Sequence, residues 1–354
     1  MGLIEKSGGA VKMLVVTAAL FIVFAGIKTA ANILVPFLLS VFIAIICNPL
    51  IARANRYKIP KVVAVLLVIA LFVIIALSLA GLVGKSLTEL SLKLPEYREQ
   101  LNVQFVWVTA QLADKNIIIS SALLMEYFDP AAAMGLAADM LSGLGSVMAN
   151  LFLIIITVIF MLFEASSMPK KLHFALADPE MRLKQIDRFL TSVNNYLAIK
   201  TLVSIATGII VSLMLWAFGL DFFLLWGVLA FLLNYIPNIG SIIAAVPAMS
   251  LAVLQLSLPE AGLIGLGYVV INMVMGNIVE PRYLGKGLGL STLVIFLSLI
   301  FWGWLLGSVG MLLSVPLTMI IKIGLENAEE GRWFAILLSG DDDINELEHI
   351  DVKS

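Results

Sequence analysis

The feature that most constrains this chain is its succession of apolar runs. Each is close to the roughly 20 residues that cross a 30 Å hydrocarbon core as one helix. Such runs cover 11–34, 36–52 and 61–83, and later 147–163, 201–218 and 261–277. With 61% hydrophobic and 13% charged residues, against about 25% charged in soluble proteins, the chain must have lipid as its main solvent. The expected fold class is all-α: a polytopic membrane protein with about six full transmembrane helices.

Where the charges sit gives the orientation. Arg53, Arg56, Lys58 and Lys61 fill the loop between the second and third runs, and Lys170, Lys171, Arg182, Lys184 and Arg188 follow the fourth. By the positive-inside rule both segments are cytoplasmic, which predicts N- and C-termini in the cytoplasm. The segment 85–145 then lies outside as a small extracytoplasmic insertion. Ser86 to Glu89 has capping-box spacing and Asp129-Pro130 offers a helix start, so short amphipathic helices are expected there. The opening run is too long for a signal peptide and has no cleavage site behind it, so it reads as a retained span. The division predicted is 1–84 as three spans, 85–145 as the insertion, 146–168 as a fourth span and 169–199 as a cytoplasmic linker. Two span-plus-hairpin units at 200–258 and 259–324 and an acidic cytoplasmic tail at 325–354 complete it.

Composition also excludes functions. A net charge of -2 shows no basic excess for nucleic acid. The histidines, His173 and His349, fall in proposed cytoplasmic segments, and neither His-Glu-x-x-His nor Gly-x-Ser-x-Gly occurs, so an enzyme is not expected. No Walker motif, metal cluster or cofactor motif is present. Cys47, the lone cysteine, reads as a buried spectator.

Two runs, 222–256 and 291–323, are too long for one span and break in the middle. The first breaks at Asn234-Tyr235-Ile236-Pro237-Asn238-Ile239-Gly240-Ser241, the second at Gly303 to Gly310. Phe231 can be laid on Phe301, Pro237 on Gly307 and Gly240 on Gly310. Each run follows one full span, so the two units would enter the membrane from opposite sides. Such inverted repeats with paired Gly/Pro interruptions mark transporter binding sites. A broken helix exposes backbone groups that hydrocarbon cannot satisfy, so it belongs beside water or solute. Simple kinks remain an alternative.

The tract Asn234 to Ser241 with Pro247 beyond it resembles the signature of the autoinducer-two exporter family of bacterial permeases. Asn277-Ile278-Val279-Glu280-Pro281-Arg282-Tyr283-Leu284-Gly285, the run Gly289 to Val294, Phe301 to Gly310, and Ser314-Val315-Pro316 resemble it as well. The resemblance covers essentially the whole chain. It implies a transporter of the bacterial inner membrane whose solute is a small polar signal molecule, the quorum-sensing signal autoinducer two, and a homo-oligomer. Sodium–proton exchange is an alternative within the family, and a non-transporting scaffold or receptor is one outside it.

The substrate-binding candidates are Asn234, Pro237, Asn238, Gly240, Ser241, Asn277, Glu280, Arg282, Gly307, Ser308 and Gly310. Amides suit a hydroxyl-rich solute, although Asn234, Asn238, Asn272 and Asn277 could equally bond between helices. Glu280 and Arg282 flank a proline at a membrane exit and could gate the path or anchor the interface. Lys200, Glu164 and Lys28 read as interfacial anchors, with Glu164 a possible partner for Lys200. Gly285 to Gly289 reads as a flexible hinge.

Overall fold

The computed structural model describes residues 2–113, 149–165, 167–175, 179–237, 239–256, 258–284, 289–326 and 331–340. Asp129-Pro130, Asn238, Gly285 to Gly287 and the acidic run Asp341 to Asp343 lie outside them. Every regular element among the described residues is helical. The helices are α1 (Gly2–Thr29), α2 (Ala31–Arg56), α3 (Lys61–Ala113), α4 (Leu151–Glu164), α5 (Met168–Ala175) and α6 (Pro179–Ala217). Then come α7 (Phe223–Leu233), α8 (Gly240–Gln255), α9 (Leu258–Val274), a π-helical turn (Met275–Val279) and α10 (Glu280–Leu284). The chain closes with α11 (Thr292–Leu312), α12 (Ser314–Glu326) and α13 (Arg332–Leu338).

Five stretches are long and apolar enough to cross a membrane: Ala31–Arg56, Lys61–Lys93, Leu190–Ala217, Leu258–Tyr283 and Thr292–Leu312. Apolar side chains point outward along them and along α4. Trp216 is 63% exposed and Phe152 77%, a surface that water would drive to aggregate and that hydrocarbon tolerates. The protein is thus an all-α polytopic membrane protein.

Local signals were overridden in three places. Ser86 starts no helix, because α3 runs unbroken through Gly84, Ser86 and Pro95 to Ala113. Elongating an existing helix adds one bond per residue fixed, whereas a new start must nucleate. Likewise α6 carries the predicted linker and the fifth span as one 39-residue helix. Part of the predicted tail is ordered: α13 buries Ala335, and the Leu338 carbonyl accepts from the Ser291 N–H at 3.1 Å.

Both overlong runs fold back as helical hairpins. In the first, α7 and α8 form the arms, and Gln255 at the end of α8 returns to the foot of α7. Its Oε1 accepts from the Asp221 N–H at 2.8 Å while its Nε2 donates to the Gly219 carbonyl at 3.1 Å. In the second, α11 and α12 are the arms. Lys322 Nζ donates to the Gly289 carbonyl at 2.6 Å near the foot, and Trp302 Nε1 donates to Thr318 Oγ1 at 3.0 Å between the arms. A single kinked span would hold these partners far apart. The helix breaks in the second hairpin at Gly307, whose φ of 71° and ψ of -153° are open to glycine alone.

α6 spans both hairpins. Its N-terminal residues Val193, Tyr196 and Leu197 share a core cluster with Leu305, Leu306, Val309 and Leu317 of the second hairpin. Its C-terminal residues Val211 and Leu215 join Leu225, Trp226, Ala244 and Leu251 of the first. The contact of α6 with α7 is close because it runs over small residues. A Cβ on Gly208 would lie 2.8 Å from the Gly227 carbonyl oxygen, and one on Gly227 would lie 1.7 Å from Ser212 Oγ.

Candidate functional site

The first hairpin turns between α7 and α8 and is held to α6 by side-chain hydrogen bonds. Asn234, 8% exposed, donates from Nδ2 to Ser204 Oγ at 2.9 Å. The Tyr235 hydroxyl donates to Thr201 Oγ1 at 2.7 Å. Pro237 and Ser241 are half-buried, and Gly240 is buried. An added Cβ at Gly240 would lie 1.7 Å from the Leu233 carbonyl oxygen, so the tip closes only because residue 240 has no side chain. α8 begins there without a side-chain cap, and the Gly240 N–H donates to the Ile236 carbonyl at 3.3 Å.

The second tip repeats this design. A Cβ on Gly310 would lie 2.1 Å from the Trp302 carbonyl oxygen. Gly310 is buried, whereas Gly307 and Ser308 are exposed on the chain surface. Met311 and Leu312, just past this tip, pack on the core cluster that contains Ile236 of the first tip and against which Ile239 also packs. Both turns therefore abut one apolar cluster.

Glu280 does not stand with Arg282. The π-turn closes with the Glu280 N–H bonded to the Met275 carbonyl, and its extra residue re-aims the chain that follows. Glu280 takes Lys200 as its partner, with Nζ at 2.6 and 2.8 Å from the two carboxylate oxygens. The Lys200 side chain is 4% exposed and that of Glu280 17%. The possible partner Glu164 instead pairs with Lys171. Lys200 is therefore a buried partner and not a headgroup anchor. Lys28 lies over the Trp304 ring, 4.4 Å from its centroid, in a cation–π contact. Asn277 and Arg282 are exposed.

Sequence reasoning passed over the polar face of α6. Lys200, Ser204 and Thr207 are all buried, and they recur three or four residues apart, the spacing that shares one helical face. That periodicity was the available signal. Tyr268 on α9 was also missed: its hydroxyl is buried without a hydrogen-bond partner among the described residues. By contrast, a groove of about 650 Å³ between α3, α6 and α7 is lined by Ile75, Ile205, Trp216, Phe223 and Phe231, with Ser212 its one hydroxyl. It suits hydrocarbon, not a polar solute.

Membrane-crossing helices, two hairpins with glycine-closed tips and buried polar groups where the first tip docks are the marks of a membrane transporter. Sequence comparison agrees. The AI-2E family transporter model matches residues 13–330, and this chain belongs to that family. Over 328 residues, 93% of this chain and 95% of the relative, it is 45% identical to the AI-2 transport protein TqsA of Escherichia coli K12. It is 41% identical to the putative transport protein YhhT of the same organism, over 94% of this chain and 95% of the relative. A putative transport protein of Borreliella burgdorferi is 30% identical over 92% of this chain and 90% of its own length. The chain is a multi-pass membrane transport protein and not an enzyme.

Proposed function

We propose that this protein carries the quorum-sensing signal autoinducer two, or a small polar molecule of like chemistry, across the bacterial inner membrane through a site between the two hairpin tips. The observation that carries the reading is the pair of glycine-closed breaks, at Gly240 and at Gly307 to Gly310, set against one cluster. Broken helices leave backbone groups that need a solute or water at membrane depth. Asn234 with Ser204, and Ser241 and Ser308 beside the breaks, add amide and hydroxyl groups suited to a polyol-like ligand. The 45% identity to a protein named for AI-2 transport supports the choice of solute. On this reading both termini and the 169–199 segment lie in the cytoplasm, the segment 85–145 lies outside, and copies of the chain assemble as a homo-oligomer.

The test is counterflow of labelled autoinducer two in proteoliposomes loaded with the unlabelled compound. Exchange should exceed that of empty liposomes and fall to background in Gly310→Val, while that variant still inserts. Exchange no faster than in empty liposomes overturns the choice of solute. Normal exchange by both Gly240→Val and Gly310→Val moves the pathway away from the tips.

A further inference from the structure

We propose that the groove between α3, α6 and α7 is a binding site for one acyl chain of a phospholipid, which packs against the first hairpin and steadies its tip. Its occupation does not depend on which solute the protein carries. Among the described residues that line the groove none is charged, and Ser212 has the one hydroxyl. The volume of about 650 Å³ falls within the range of about 300–1,000 Å³ of small-molecule sites. Such a concave site covers far more of a chain than the convex face of a single helix does.

Length and place name the occupant. Ile205 and Trp216 both line the groove, and between them α6 rises about 16 Å at about 1.5 Å per residue. That is about half of a hydrocarbon core about 30 Å thick, the reach of a chain anchored in one leaflet. The groove lies on the membrane-spanning stretches Lys61–Lys93 and Leu190–Ala217, and Ile209, Leu213 and Leu224 in its lining are exposed to the surrounding hydrocarbon. At the foot of the hairpin the lining ends at Trp216 and Phe223, two residues after Asp221, which pairs with Lys93. Tryptophan at the level of ionic groups is the arrangement of a membrane interface. The headgroup therefore belongs at the foot, and the chain runs from there toward the tip.

At its far end the chain meets Phe231. The Phe231 ring stands edge-on to Tyr235, with centroids 5.9 Å apart, and the Tyr235 hydroxyl bonds Thr201 of α6. Gly208 and Gly227, where α6 and α7 approach most closely, line the groove between its two ends. A chain lying there supplies the dispersion contacts that a void forfeits. It thereby holds the first arm of the hairpin against α6 along the side that the glycines leave bare.

The test needs no solute. The full chain is reconstituted in vesicles of phosphatidylethanolamine and phosphatidylglycerol doped with a phosphatidylethanolamine that carries a diazirine midway along one acyl chain. After illumination, the adducts are mapped by mass spectrometry. They should be several-fold denser on Ile205 to Trp216 and Phe223 to Phe231 than around Phe152 and Phe160, the exposed apolar residues of α4. Ile209→Trp and, as a second variant, Leu213→Trp fill the groove from exposed positions. Either should bring groove labelling down to the level of α4 and leave α4 labelling unchanged. Equal labelling of groove and α4 in the parent overturns the proposal, and so does dense groove labelling that persists in both variants. Labelling of the groove below that of α4 overturns it in favour of a second copy of the chain covering this face. Counterflow of autoinducer two is read separately, so a wrong solute and a wrong lipid site give different results.

Discussion

Gly219 and Gly289 adopt the same left-handed backbone, with φ of 72° and 68°, each at the foot of the first arm of its hairpin. Each carbonyl accepts a hydrogen bond from a long side chain at the end of the returning arm, Gln255 in one case and Lys322 in the other. Each is followed by a buried leucine, Leu220 or Leu290. The spacing is the one that lays Phe231 on Phe301 and Gly240 on Gly310. The likeness between the units therefore extends from the tips to the feet.

At Gly219 an added Cβ meets nothing within 4 Å, so only backbone strain opposes a side chain. Gly219→Ala should destabilise the protein by about 1–2 kcal/mol, and Gly219→Asn by less, since asparagine tolerates this region. Thermal unfolding in detergent measures the ordering.

The tips should respond through two different mechanisms. Gly307→Ala has room for its methyl group and meets only strain, about 1–3 kcal/mol. Gly240→Ala and Gly310→Ala drive a methyl group into backbone oxygen and must part the arms. Counterflow should therefore fall further in the latter two, relative to the loss of folded protein, than in Gly307→Ala. Equal losses would argue that the close approach is unimportant.

The foot of the first hairpin is tied to α3 by Asp221, which accepts from Lys93 Nζ at 2.8 Å and from the Tyr97 hydroxyl at 2.7 Å. Burial pushes the Asp221 carboxyl up, but the hydrogen bonds from Lys93 and Tyr97 and the lysine charge outweigh it and hold the group below its ordinary value. A depressed carboxyl contributes stability that is present above its unfolded pKa and lost as pH falls through the folded one. The tie should thus hold at neutral pH and weaken only below about pH 4. Because the pair is half exposed, Asp221→Asn should cost no more than about 1 kcal/mol and abolish this acid-side loss. Denaturant unfolding at pH 7 and pH 3 checks both.

Orientation is testable with single cysteines in the Cys47→Ser background. Glu89→Cys, exposed on the outward continuation of α3, should react with an impermeant thiol reagent in whole cells. Lys184→Cys should react only after the membrane is opened. Labelling of both from one side would overturn the proposed topology.

The sequence by itself determined the solvent and therefore the class of fold. Runs of apolar residues can only be helices in lipid, and breaks at Asn234 to Gly240 and at Gly303 to Gly310 show where those helices cannot continue. The breaks are legible because Gly and Pro act on the local backbone. Helix ends inside polar stretches were not, since Ser86 and the start of the fifth span are decided by whether a neighbouring helix is already propagating. The partnership of Lys200 was equally hidden. The sequence offered only Glu164 as its partner; Glu280 is the same residue type, and choosing between them needs the packing of α6 on α9 and α10 and the π-turn that precedes Glu280. Short-range rules fix where a chain must bend. Only the tertiary structure decides which distant charges share a site, because the energy of burying a charge depends on what else is brought to the same place.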